Sequence, residues 1–236
     1  MNKYIFIAIA LMSLILCGCK CSQNLVTPRV IEPVENANVN FIPAMPDMGS
    51  FSIKADSRTI VENLEYTAPA TDYKKLGAGL NNIELISVNT GETILRGNID
   101  LMKDSSYTFI FYGSSRFRMV VMMDSIWNYS TLVSYTRYIY ALSDNSTSSN
   151  KVIFTLKNQN VTNESLPLNN GRYTEFDRMS PGSYSLKVSP EDNPDSVITE
   201  KSIHLQPGKL YSFILRGYSG GKGFKKTECL VIENDK

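Results

Sequence analysis

The sequence predicts an all-β protein, with two tandem immunoglobulin-like β-sandwich domains. Three observations lead there. From about residue 37, short apolar stretches alternate with clusters of Gly, Pro, Asn and Asp, the spacing of sandwich strands and their turns. No segment keeps a helical period over three turns. Pieces of the first half recur in the second half in the same order. With 42% hydrophobic residues in 236, the chain carries enough apolar surface for a core, which excludes wholesale disorder.

In chain order, residues 1–18 read as an export signal peptide. Lys3 supplies the positive end, and Tyr4 to Leu16 is an uncharged apolar run. That run is shorter than the roughly 20 residues a transmembrane helix needs. It ends in Leu16-Cys17-Gly18-Cys19, which resembles a bacterial lipobox: an aliphatic residue at −3, a small one at −1, then the acylated Cys. The resemblance implies cleavage after Gly18, a lipid on Cys19, and attachment to the bacterial cell envelope, with the outer membrane expected and its periplasmic or surface face left open. Cys17 fits less well because Leu16 would take the small site, and Cys21 because Lys20 would. Cleavage removes Lys3 from the 24 basic residues, leaving 23 against 23 acidic ones. A chain with no net charge offers no electrostatic footprint for nucleic acid. Residues 19–36, with Pro28 and Pro33, read as a tether without fixed structure. An exported chain can form disulfides. A Cys21–Cys229 bridge and two unpaired thiols both remain open.

Domain one is expected at 37–125. The turn Gly77-Ala78-Gly79 precedes the strand Ile83-Glu84-Leu85-Ile86. Ile99-Asp100-Leu101 then leads through Lys103-Asp104 to Tyr107-Thr108-Phe109-Ile110-Phe111, and Met119-Val120-Val121 closes the domain. A join follows at 126–135. Domain two is expected at 136–235. There the turn Pro181-Gly182 opens Ser183-Tyr184-Ser185-Leu186-Lys187-Val188, whose clean alternation means one buried face and one wet face. Ile203-His204-Leu205, the turn Pro207-Gly208, Tyr211-Ser212-Phe213-Ile214-Leu215 and Leu230-Val231-Ile232 follow.

The copies align by these pieces. Tyr107-Thr108-Phe109 matches Tyr211-Ser212-Phe213 at an offset of 104, Tyr73 matches Tyr173 at 100, and Phe41 to Asp47 matches Tyr138 to Asp144 at 97. Met119-Val120-Val121 is matched to Leu230-Val231-Ile232. The disulfide and buried Trp of antibody domains are missing, so the expectation is sandwich architecture and not that topology.

Ala37-Asn38-Val39-Asn40-Phe41-Ile42-Pro43-Ala44-Met45-Pro46-Asp47 resembles the opening of the bacterial domain-of-unknown-function family numbered 4397. Its members often begin with a strand and a His-Ala-Ser-Pro-Asp signature, and often occur in tandem behind a lipoprotein signal. Ala44, Pro46 and Asp47 fit that signature, while Pro43 and Met45 stand where its His and Ser would be. In the second copy only Ala141 and Asp144 fit. The resemblance implies a fold and no activity. The signature itself reads as a turn, with Pro and Asp setting backbone angles.

The chemistry-bearing residues are sparse. His204 is the only His; it aligns with Asp100 of the first copy, so it should face solvent. Gly217-Tyr218-Ser219-Gly220-Gly221-Lys222-Gly223 has the wrong spacing for a phosphate loop and reads as a hairpin loop. Glu191-Asp192-Asn193-Pro194-Asp195 lacks the pattern of a calcium loop. No metal ligand set and no cofactor motif emerges. Trp127, Tyr129, Tyr135, Tyr138 and Tyr140 crowd the join, where they could bind a partner or pack the domains together. Asp124-Ser125-Ile126 and Asp195-Ser196-Val197 resemble bacterial O-glycosylation sites, making Ser125 and Ser196 candidates. The expected function is therefore a non-enzymatic envelope lipoprotein that binds or adheres to a protein or glycan. The alternatives are a structural or assembly subunit of a surface fibre or envelope complex, and a glycan hydrolase working through paired carboxylates.

Overall fold

A strand with one wet face alternates in burial, and a strand covered on both faces does not. Both kinds occur here. Gly182–Pro190 alternates along most of its length, whereas Ser106–Tyr112 and Ser134–Leu142 are buried at every residue. The reason is a stack of four sheets.

The computed structural model describes residues 35–126, 128–143 and 151–234, which belong to one compact unit. The signal peptide, Cys19, Cys21, nearly all of the tether, Trp127 and Asp144 lie outside those residues. The first half contains β1 (Asn36–Ala44), β2 (Phe51–Ala55), β3 (Arg58–Leu64), β4 (Lys74–Gly77), β5 (Gly79–Ser87), β6 (Thr93–Leu101), β7 (Ser106–Tyr112) and β8 (Arg118–Met123). The second contains β9 (Ser134–Leu142), β10 (Val152–Lys157), β11 (Thr162–Glu164), β12 (Arg172–Tyr173), β13 (Asp177–Met179), β14 (Gly182–Pro190), β15 (Thr199–Leu205), β16 (Leu210–Gly217) and β17 (Glu228–Asn234). The one helical element among the described residues is a short 3-10 turn at Gly223–Lys225.

Sheets β3-β2-β5-β6 and β4-β1-β7-β8 make the first sandwich, and β12-β9-β16-β17 and β11-β10-β14-β15 make the second, with β13 also pairing β9. Val39, Phe41, Phe51, Ile53, Phe109 and Phe111 fill the first core. Tyr138, Phe154, Tyr184, Leu186 and Phe213 fill the second. Each such side chain contributes about 1.5–3 kcal/mol by leaving water. A third apolar cluster joins Ile42, Ala44, Ile110 and Val120 to Ile139, Ala141 and Ile214. The outer faces of β4-β1-β7-β8 and β12-β9-β16-β17 therefore pack on each other, which is why their central strands are apolar on both sides.

Strand register makes the duplication explicit. β1 runs parallel to β7 with Phe41 opposite Phe109, and β9 runs parallel to β16 with Tyr138 opposite Phe213. The 97 and 104 offsets are thus one structural relation. The chain-reversing turns repeat as well. Asp104 and Gly208 occupy equivalent positions with φ of 56° and 72°. Tyr107 Oη accepts the Met102 N–H at 2.9 Å, and Tyr211 Oη accepts the Gln206 N–H at 3.1 Å. Such a tyrosine, fastening the turn upstream of its own strand, is a device of immunoglobulin-type sandwiches. Asp100 and His204 are equivalent and exposed.

Two of the sequence matches need correction. Val121 faces Phe109 as Val231 faces Phe213, so Val121, not Val120, is the partner of Val231. A one-residue slip exchanges the two faces of a strand, and in β8 both faces are apolar, which hid it. Thr71 and Thr174 are also equivalent. Each hydroxyl accepts the N–H of Phe41 or Tyr138, and each N–H donates to the carbonyl of the same residue. The equivalent of Tyr73 is therefore Phe176, not Tyr173.

At one end of the seam the equivalent positions are polar and buried. Asn40 corresponds to Arg137, Thr108 to Ser212, and Asp124 to Asn234. Arg137 Nη2 donates to Asp124, its Nε donates to Ser212 Oγ at 2.7 Å, and its Nη1 donates to the Met123 carbonyl at 3.1 Å. The Asp124 carboxylate also accepts from Thr108 at 2.8 Å and from Tyr73 Oη at 2.7 Å. Burial first, and then the Asp124 charge, raise the Tyr73 phenol above its ordinary range. At the other end Arg216 donates to the Pro43 carbonyl at 2.8 Å and to the Ala68 carbonyl at 3.1 Å, and Ser143 donates to the Ala44 carbonyl at 2.6 Å. Polar groups thus bracket an apolar centre and fix how the sandwiches meet.

Candidate functional site

The two sandwiches differ at the end where β1 and β9 finish. In the first, Phe51 meets the Phe111 ring edge-on at 6.1 Å, and Met45 is fully covered beside them. The registers of β2 and β10 place Val152 where Phe51 stands, and those of β7 and β16 place Leu215 where Phe111 stands. Two aromatic rings are replaced by smaller aliphatic side chains, while Tyr140 stands where the first sandwich has Pro43. The second sandwich is left with a cleft of about 450 Å³.

Tyr140, Leu142, Val152 and Ile198 line the cleft on its apolar side. Lys151, Ser196, Lys226 and Thr227 supply its polar side, and Gly220 and Gly221 lie along it. Gly221 must be glycine, because a Cβ there would come within 2.4 Å of the Lys225 carbonyl oxygen. Lys151 pairs with Glu191 at 3.4 Å. The β16–β17 loop that walls the cleft is held from the first sandwich. Asp47 accepts a hydrogen bond from Tyr218 Oη and pairs with Lys225. Those contacts, Lys225 foremost, keep the Asp47 carboxyl below its usual range. The signature Asp expected to act only in a turn thus also reaches the other sandwich.

The aromatic set of the join is dispersed. Tyr138 and Tyr140 point into the second core, 4% and 1% exposed, and Tyr135 is 1% exposed. Their strand, β9, is covered on both faces, and of these three rings Tyr140 alone borders the cleft. Tyr129 stacks on Tyr135 at 5.6 Å and donates to the Gly208 carbonyl, fastening the β15–β16 turn. Trp127 lies outside the described residues. Ser125 is exposed, and Ser196 borders the cleft. Among the described residues no group of three His, Cys, Asp or Glu side chains could hold a metal ion. The cleft was not legible in the sequence, because its signal is a loss of side-chain volume relative to the other copy.

Cys229 is buried in the second core. Burial pushes its thiol up to about 12, and burial does the same to the Tyr138 phenol. Unfolded, these groups ionise near their ordinary values of 9.0 and 10.0. Above those values the unfolded chain sheds protons that the folded chain keeps, so stability is fully present below about pH 9 and falls toward pH 12. Urea midpoints are expected to hold between pH 7 and 9 and then drop from pH 9 to 11, less steeply in Tyr138→Phe. A flat profile would contradict this account.

No curated protein matches the chain closely enough to count as a relative. Among solved structures, a carbohydrate-binding module of family CBM26 from Eubacterium rectale Amy13K, in complex with maltoheptaose, is similar at 10% identity and a TM-score of 0.27. That match covers 85% of this chain and 98% of that one. A candidate cell adhesion protein from Bacteroides ovatus is similar at 8% identity and a TM-score of 0.24, covering 86% and 97%. At those scores neither likeness carries an argument about function. The first sandwich is a different matter: residues 37–132 match the family described as Domain of unknown function (DUF4397).

Proposed function

We propose that the chain is a lipid-anchored cell-envelope protein that binds a glycan or a protein segment in the cleft of its second sandwich, without catalysis. The observation that carries this reading is the cleft. It is a hollow at one end of a tightly filled body, with an apolar side for a ring or aliphatic face and lysines, hydroxyls and loop backbone opposite. Hydroxyl-rich ligands suit that division, and the glycan is the preferred class. A hydrolase of the two-carboxylate kind needs acids about 5 to 10 Å apart around the scissile bond. The residues lining this cleft include no Asp or Glu. The fibre or assembly alternative would use an edge strand, and β6 and β15 are two of the eight sheet edges among the described residues. These two carry Arg96, Asp100, Glu200, Lys201 and His204, and charge on an edge opposes strand addition.

The test is a glycan and peptide array probed with the purified protein and with Val152→Phe. Phe is the residue that the first sandwich holds at this position, so the variant fills the cleft and should lose the captured ligand, with its melting temperature measured alongside to confirm that it is folded. Equal capture by both proteins would remove the cleft from consideration.

A further inference from the structure

The approximate two-fold relation between the sandwiches predicts side chains in pairs, and at one position a pair is incomplete. Arg137 lays its guanidinium 4.4 Å from the centre of the Phe176 ring while it reaches Asp124, Ser212 and the Met123 carbonyl. The related position on the other side of the seam holds Asn40, too short to do the same. The residues around it are the equivalent ones, but they are already bonded to one another: Asn234 Nδ2 donates to Thr108 Oγ1 at 2.9 Å, and its Oδ1 accepts from Ser212 at 2.6 Å. Tyr73 takes the place of Phe176, Asn234 that of Asp124, Thr108 that of Ser212, and the Glu233 carbonyl that of Met123.

A cavity of about 310 Å³ opens at this spot, lined by Asn40, Asp72, Tyr73, Ile232 and Glu233 among others. Asn40 is 1% exposed, and its buried Oδ1 meets no hydrogen-bond donor among the described residues. A buried amide oxygen without a donor is a standing free-energy penalty that an arriving N–H group removes. Asp72 and Glu233 add negative charge at the mouth, Glu233 sharing its own with Lys209. An aromatic face, an unmet acceptor and nearby carboxylates are the partners that a planar guanidinium satisfies better than an ammonium does.

We propose that the Asn40 seam cavity binds a guanidinium group, received by the buried Asn40 Oδ1 and the carboxylates at the cavity mouth. The source is either a free guanidinium compound or an arginine side chain of a protein partner. The experiment is a calorimetric titration of the purified protein with agmatine, with an acetyl-Gly-Arg-Gly-amide peptide, and with cadaverine as the ammonium control. Both guanidinium probes should bind, and cadaverine severalfold more weakly. Asn40→Arg should abolish binding, because the chain's own side chain then occupies the cavity. Should that variant fail to fold, Asp72→Asn, altered at an exposed side chain, should fold normally and bind more weakly. A peptide tighter than agmatine assigns the site to a partner's arginine, and agmatine as tight as the peptide assigns it to a small compound. No heat from either guanidinium probe, or affinities unchanged in Asp72→Asn and equal for cadaverine, would overturn the proposal.

Discussion

Arg137→Ala is expected to lower unfolding stability by about 3–5 kcal/mol, the range for removing one partner of a buried ion pair. Arg137 and Asp124 side chains are 2% and 0% exposed, so water cannot take the place of the lost guanidinium. Asp124 would keep its bonds from Thr108 and Tyr73 but not a countercharge, and the Met123 carbonyl would lose its donor. Asp124→Ala should be as damaging, since it strands the cation instead. The informative comparison is the double replacement Asp124→Leu with Arg137→Met. Removing both charges together restores an apolar seam, and much of the loss should return, short of the part that Tyr73 contributes by hydrogen bonding. Chemical denaturation of the four proteins checks this. A single-variant loss below 1 kcal/mol would mean that the pair is hydrated and that the seam is looser than its geometry.

The second large effect concerns location. If Cys19 carries the lipid, Cys19→Ala should move the protein entirely from the membrane fraction to the soluble one and abolish labelling by radioactive palmitate. Each buried methylene contributes about 0.8 kcal/mol, so two or three acyl chains hold a protein on a bilayer essentially irreversibly, and none leaves it free. Cys17→Ala should change neither readout. Membrane retention of Cys19→Ala without acyl label would refute the lipobox reading.

What the sequence revealed and what it hid divide along physical lines. The strands with one wet face were legible, Ser183 to Val188 above all, because solvent imposes alternation. The tyrosine–x–phenylalanine strands were legible because their tyrosines fasten a turn in both copies. The strands at the seam were legible as strands but not in their roles. Residues of β1 and β9 face a core on one side and a second sheet on the other, so periodicity cannot say which residue belongs to which face. That is how Tyr138 and Tyr140 came to be read with the join. Asn40 and Arg137 looked like ordinary polar residues within strands, since their meaning lies in residues more than 60 positions away in the chain, such as Thr108 and Ser212. The match of Tyr73 to Tyr173 followed identity of letters. The structural equivalence runs through Thr71-Asp72-Tyr73 and Thr174-Glu175-Phe176, where the threonines make the same backbone contacts.

The direction of the strands has a mechanical consequence. β1 and β9 point the same way: Ser143 meets Ala44 at their finishing ends, and Arg137, early in β9, meets Asp124, whose N–H donates to the Ser106 carbonyl beside the start of β1. The chain enters β1 from Glu35 at one pole, and the cleft opens at the other. A load applied between a ligand in that cleft and the residues before Glu35 would therefore run along the strands, across nine residues of β1 or about 30 Å. β1 is flanked by β4 and β7, so such a pull shears two rows of hydrogen bonds together instead of unzipping them one at a time. The block is thus oriented to resist tension directed along β1.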